Sequence, residues 1–154
     1  IRLSLVGSEM CIRDSTNDDG LSTKNYDQAD IILTGVSRSG KTPTCLFLAL
    51  QYGIYAANYP LIDEDLDSVK LPSVLKPFKK KLYGLSINPV RLQNIRGERR
   101  SNSGYASIEQ CQKEVRRAED MYVQNNVPFI DTSHISIEEI AGRILQKSKL
   151  ERRY

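Results

Sequence analysis

Between Gly35 and Thr42 the chain reads GVSRSGKT, with the apolar run Ile31-Ile32-Leu33 immediately before it and a helix-like stretch from Lys41 immediately after it. This GxxxxGK[ST] pattern in a strand-to-helix setting constrains the fold more than any other feature. With glycine near 7% of residues, the bare pattern arises by chance in only about 1 of 200 chains of this length. Each position has a physical task. The glycines of Gly35-Val36-Ser37-Arg38-Ser39-Gly40 let backbone N–H groups turn inward around phosphate oxygens, and the helix N-terminus adds partial positive charge. Lys41 supplies a point charge for the terminal phosphates, and the Thr42 hydroxyl is placed to ligate Mg²⁺. Arg38 reads as a second phosphate clamp or as a solvated side chain. The competing reading of the whole segment is an ordinary Gly-rich turn between a strand and a helix.

The rest of the chain alternates strands and helices. Strand patterns fall at Tyr55 to Tyr59, Leu82 to Ile87 and Val127 to Ile130; helical patterns run from Lys41 to Tyr52, from Asn88-Pro89 to about Arg100, from Ser107 to about Gln124, and from Ser136 to Leu145. Ser107 with Gln110, and Ser136 with Glu139, have capping-box spacing. Such alternation predicts an α/β fold, a P-loop NTPase-like, mainly parallel sheet flanked by helices, over residues 31–154. Thr16 to Asp30 is polar and reads as a loop or linker. Ile1 to Ser15 continues neither pattern and reads as a foreign scar, which makes the remainder the C-terminal part of a longer protein.

Composition removes several function classes. Lys plus Arg exceed Asp plus Glu by only 22 to 19, so the net charge of +3 predicts no nucleic-acid partner. Neither a membrane-spanning run nor a secretory leader pattern is present, and the chain reads as cytoplasmic. Cys11, Cys45 and Cys111 have no CxxC spacing, and His134 is the single histidine, which argues against zinc. Cys45 and Cys111 fall on apolar helix faces and read as inert core thiols. The sequence leaves homo-oligomerisation open.

The guanine-reading NKxD motif and DxxG are both missing, which argues against a GTPase switch. Among carboxylates, Asp131 ends the apolar run Val127 to Ile130 as a Walker B aspartate would, or it simply supports the following turn. Asp18 and Asp19 precede the first strand and are further catalytic candidates, although paired aspartates before glycine also make turns. Asp63, Glu64 and Asp65 lie near the C-terminal edge of the sheet, where α/β ligands bind. His134, between a strand end and a cap, reads as a surface residue. Arg91, Arg96, Arg99 and Arg100 form a local basic cluster that suits a solvated helix face, a lid over transferring phosphate, or a dock for an acidic protein surface.

Longer segments carry a resemblance. ADIILTGVSRSGKTPTCLFLALQYGIYAANYPL, KLYGLSINPVRLQNIRGERR, YASIEQC and VPFIDTSHISIEEIAGRIL together closely resemble the bacterial phosphoenolpyruvate synthase regulatory proteins, relatives of the pyruvate, phosphate dikinase regulatory proteins. The likeness runs from about Asn17 to Leu145. Ser101 and Gly104 depart from it, standing where Pro and Arg are expected. The resemblance implies a bifunctional serine/threonine kinase and phosphorylase. It would transfer phosphate from ADP to a threonine of phosphoenolpyruvate synthase, and remove it with inorganic phosphate, releasing pyrophosphate. Lys41, Arg38 and Thr42 would serve this transfer with Mg²⁺; the sequence does not single out the base, for which Asp18, Asp19 and Asp131 are the candidates. A small-metabolite kinase using ATP and a non-catalytic nucleotide-binding module are the alternative readings.

Overall fold

The computed structural model describes residues 24–99 and 106–148. In chain order these form a short helix α1 (Lys24–Gln28), β1 (Ile31–Gly35), α2 (Lys41–Tyr52), β2 (Ala56–Pro60), α3 (Asp63–Leu66), a 3₁₀ segment (Lys76–Lys81) and β3 (Leu82–Ser86). They continue as α4 (Pro89–Arg99), α5 (Ile108–Gln124), β4 (Phe129–Asp131) and α6 (Ile137–Ser148). The four strands make one sheet in the order β2-β1-β3-β4, with every pairing parallel. Ile32 stands opposite Ala57 on one side and Leu82 on the other, and Gly84 stands opposite Phe129.

Parallel strands need crossover segments, and those crossovers cover the sheet faces. Accordingly all of β1 and β3 is buried, which is why Ile31-Ile32-Leu33 shows no alternation in the sequence. At the β4 edge only Ile130 of the three strand residues is buried. From β1 the chain moves outward through α2 to β2, then crosses back to β3 and moves outward the other way to β4. This reversal creates a switch point between the C-terminal ends of β1 and β3, the place where open α/β sheets bind ligands. Helix α2 packs with α6, and α4 packs with α5.

Helix starts follow the caps in the sequence. Ser107 Oγ accepts from the Gln110 amide at 3.2 Å, and Ser136 Oγ from the Glu139 amide at 3.2 Å. The Asn88 carboxamide oxygen accepts from the Val90 amide at 2.9 Å and opens α4. Gly53, in the left-handed region at φ 67°, closes α2.

Two stretches carry more structure than their polar composition predicts. Within residues 16–30, read as loop or linker, lies α1, because Tyr26 and Ala29 are buried and the Tyr26 ring packs on Tyr59 and Phe78. In the connector after β2, Leu66, Leu71 and Leu75 anchor the chain in the core. The scar reading of Ile1 to Ser15, and the departures at Ser101 and Gly104, fall outside the described residues.

Candidate functional site

The loop from Gly35 to Gly40 leaves β1 at the switch point and enters α2. Its first glycine answers to a close approach: a Cβ at Gly35 would lie 2.8 Å from the Leu85 carbonyl oxygen on β3 and 2.7 Å from Ser39 Oγ. Gly40 is the N-cap of α2 at φ 100°, a conformation that favours glycine. Arg38 takes the same left-handed region at φ 72°, which costs a non-glycine residue about 1–2 kcal/mol. Its side chain is exposed, whereas Ser39 and Lys41 are buried.

The loop closes around the Val36 carbonyl. Lys41 Nζ donates to it at 2.6 Å, and Ser39 Oγ does so at 2.8 Å. Thr44 Oγ1 donates to the Gly40 carbonyl at 2.7 Å, fastening the first turn of α2. The lysine charge therefore sits inside the loop, at the helix N-terminus, where anions are stabilised. Thr42 is half-buried, and its hydroxyl accepts from Asn58 Nδ2 at 3.3 Å. The Asn58 carboxamide oxygen is buried without a hydrogen-bond partner.

Two side chains from outside the motif hold the loop. Arg96 Nη2 on α4 donates to the Ser37 carbonyl at 3.1 Å, and Thr132 Oγ1, just beyond β4, donates to the Ser39 carbonyl at 3.1 Å. Arg96 is fully buried and forms a fork with Glu114 of α5, with contacts of 2.8 and 3.0 Å. This corrects the solvated-face and docking readings for Arg96. Its guanidinium points under the phosphate loop, because Glu114 sits on the inner face of α5 and supplies the countercharge that makes burial tolerable. Arg91 is exposed; the side chains of Arg99 and Arg100 lie outside the described residues.

The carboxylates are dispersed. Asp131 is exposed, and its Oδ1 accepts from the Ser133 amide at 2.8 Å and from the Ser133 hydroxyl, which is the turn-supporting arrangement. Its neighbour Thr132, not Asp131, touches the phosphate loop. Asp65 caps α3 by accepting from the Ile62 amide at 3.2 Å, and Asp63 accepts from Gln110 Nε2 at 3.2 Å. Asp18 and Asp19 lie outside the described residues. His134 is exposed; Cys45 and Cys111 are buried, and burial pushes the Cys111 thiol pKa up.

Among the described residues no cluster of three or more His, Cys, Asp or Glu could hold a metal by itself. The donor set at the loop is instead one hydroxyl, Thr42, oriented by Asn58. That suits Mg²⁺, which keeps several waters and takes its remaining ligands from substrate phosphates.

Residues 15–145 match the family model described as Kinase/pyrophosphorylase. The chain belongs to this family. Curated relatives bear the name "Putative phosphoenolpyruvate synthase regulatory protein". One from Neisseria gonorrhoeae is 59% identical over 138 residues, covering 90% of this chain and 50% of the relative. One from Laribacter hongkongensis is 58% identical over 138 residues with the same coverage. One from Marinobacter nauticus is 56% identical over 136 residues, covering 88% and 50%. The chain thus spans about half the length of the curated relatives it matches.

Within this kinase/pyrophosphorylase frame, three contributors to the site besides Arg96 lie outside the phosphate motif. Asn58 is the polar residue in a strand whose neighbours are buried, and a buried polar group inside a parallel sheet is itself a signal. Glu114 interrupts the apolar run of α5 beside Cys111 and Val115. Thr132 had no signal of its own beyond following a strand end.

Proposed function

We propose that this chain carries the phosphate-binding portion of a bifunctional regulator of phosphoenolpyruvate synthase. In one direction a threonine hydroxyl of the synthase attacks the β-phosphorus of ADP, the P–O bond to the α-phosphate breaks, and AMP leaves. In the other, inorganic phosphate attacks phosphothreonine and leaves as pyrophosphate, restoring the hydroxyl. The observation that carries this reading is the closed loop at the switch point, with Lys41 buried inside it. In this reading one cradle serves ADP in the first direction and pyrophosphate in the second. The names borne by the relatives support the synthase as the protein substrate.

Phosphoryl transfer asks little covalent chemistry of a protein; positioning and charge neutralisation supply most of the rate. Lys41 neutralises the phosphates, and the loop amides orient them. Thr42, held by Asn58, offers its hydroxyl oxygen to Mg²⁺, which when bound would neutralise phosphate charge. Arg38, whose side chain is exposed, would be the second clamp on an incoming phosphate. The arrangement of Asp131 around Ser133 leaves the base for the threonine proton unassigned.

The test is incubation of the full-length protein and purified phosphoenolpyruvate synthase with β-labelled ADP, in parallel with γ-labelled ATP. Label on the synthase from ADP supports the proposal. Label from ATP alone on a small acceptor indicates a metabolite kinase, and nucleotide binding without transfer indicates a sensing module.

A further inference from the structure

A phosphate cradle works only if its amides point inward, and a trans peptide fixes how that can be arranged. Its C=O and the following N–H point in opposite directions, so a carbonyl held outward turns the next amide inward. The two loop carbonyls taken by side chains from outside the motif are alternate ones. Arg96 holds Ser37 O, which precedes the amide of Arg38, and Thr132 holds Ser39 O, which precedes the amide of Gly40. Arg38 and Gly40 are also the two loop residues in the left-handed region, at φ 72° and 100°. Strained conformations of this kind persist where surrounding contacts over-determine them.

We infer that Arg96 and Thr132 are positioning residues that tie the Ser37 and Ser39 carbonyls outward, presetting the Arg38 and Gly40 amides to receive a diphosphate. Glu114 completes the device by fixing the guanidinium fork from α5. The Thr132 hydroxyl is shared between Ser39 O at 3.1 Å and Ser86 O at 3.0 Å, so the loop is gauged against the end of β3 as well. The ligand class is a linked pair of phosphates, and the inference rests on the function proposed above.

Thr132→Val removes the hydroxyl while keeping the shape of a half-buried side chain, and Thr132→Ser returns the hydroxyl. Titration calorimetry of inorganic pyrophosphate into the full-length protein should show binding weakened at least fivefold in Thr132→Val and restored to within twofold in Thr132→Ser. Urea midpoints should stay close in both. Arg96→Lys keeps the charge but loses the planar fork, and should also weaken pyrophosphate binding at least fivefold. Equal affinity for pyrophosphate in the unaltered protein and Thr132→Val overturns this inference alone. Failure of the unaltered protein to bind either pyrophosphate or ADP overturns the proposed function, and this inference with it.

Discussion

Separating the ion pair Arg96–Glu114 into its structural and functional parts gives the strongest quantitative prediction. The Arg96 side chain is 0% exposed and that of Glu114 10%, with the closest contact at 2.8 Å. Glu114→Leu leaves a buried guanidinium without its countercharge, a change that costs about 3–5 kcal/mol. A domain of this class has about 5–15 kcal/mol in total. With a urea dependence of about 2 kcal/mol/M, the unfolding midpoint should fall by about 1.5–2.5 M. Replacing both partners, Arg96→Met with Glu114→Leu, substitutes apolar groups of similar volume and should recover stability to within about 1 kcal/mol of the unaltered protein. Pyrophosphate binding should nevertheless remain weak in the double variant, because the Ser37 carbonyl has lost its donor. The assays are urea unfolding followed by circular dichroism, and calorimetric titration of pyrophosphate. A double variant no more stable than Glu114→Leu would refute the desolvation argument, and a double variant that binds pyrophosphate normally would refute the role of the tether.

Lys41→Ala should abolish pyrophosphate and ADP binding while the protein stays folded; calorimetry showing near-normal affinity for either ligand would break the single-cradle scheme. Gly84→Ala should destabilise the fold by about 1–3 kcal/mol, read as a lower thermal midpoint, because the new Cβ would lie 2.7 Å from the buried Tyr122 ring. Burial raises the phenol pKa values of Tyr122, Tyr59 and Tyr83, with nearby Asp65 adding to the rise at Tyr59 and Arg143 opposing it at Tyr83. The folded state thus favours the neutral phenols, so their contribution is intact below the ordinary value of about 10 and is lost progressively as pH climbs from there through the raised folded values, because the unfolded chain ionises first. Stopped-flow absorbance at alkaline pH should show these three tyrosines ionising together with unfolding; prompt ionisation of all tyrosines in the folded protein would contradict this.

The fold was legible because its signals are local. A short unbroken apolar run, rich in β-branched residues and closed by glycine, suits a strand covered on both faces, and Ser107 and Ser136 mark their helix starts by side chains that reach no further than one turn. The phosphate motif was legible for the same reason, since one turn and one helix end build it. What sequence patterning missed depends on distant partners. Arg96 is one of several arginines along a polar stretch of sequence, and only Glu114, 18 positions on, reveals that it faces inward. Tyr26 lies in a stretch rich in Asp and Asn, and its burial depends on Tyr59 and Phe78. Asp131 stands at the strand end as the sequence reads, and its Oδ1 also supports the Ser133 turn, which hydropathy does not show.

The crowding at Gly35 divides the motif by the kind of selection it would survive. A library screened only for soluble, protease-resistant protein should reject every replacement there, since any side chain meets the β3 carbonyl of Leu85 whether or not a nucleotide is ever supplied. The same screen should accept several residues at the half-buried Thr42, whose hydroxyl is fastened to the fold by a single 3.3 Å hydrogen bond from Asn58 and has its main task when a phosphate ligand arrives. The first and last letters of one signature would then answer to different demands: the glycine to the architecture of the sheet, the threonine chiefly to chemistry.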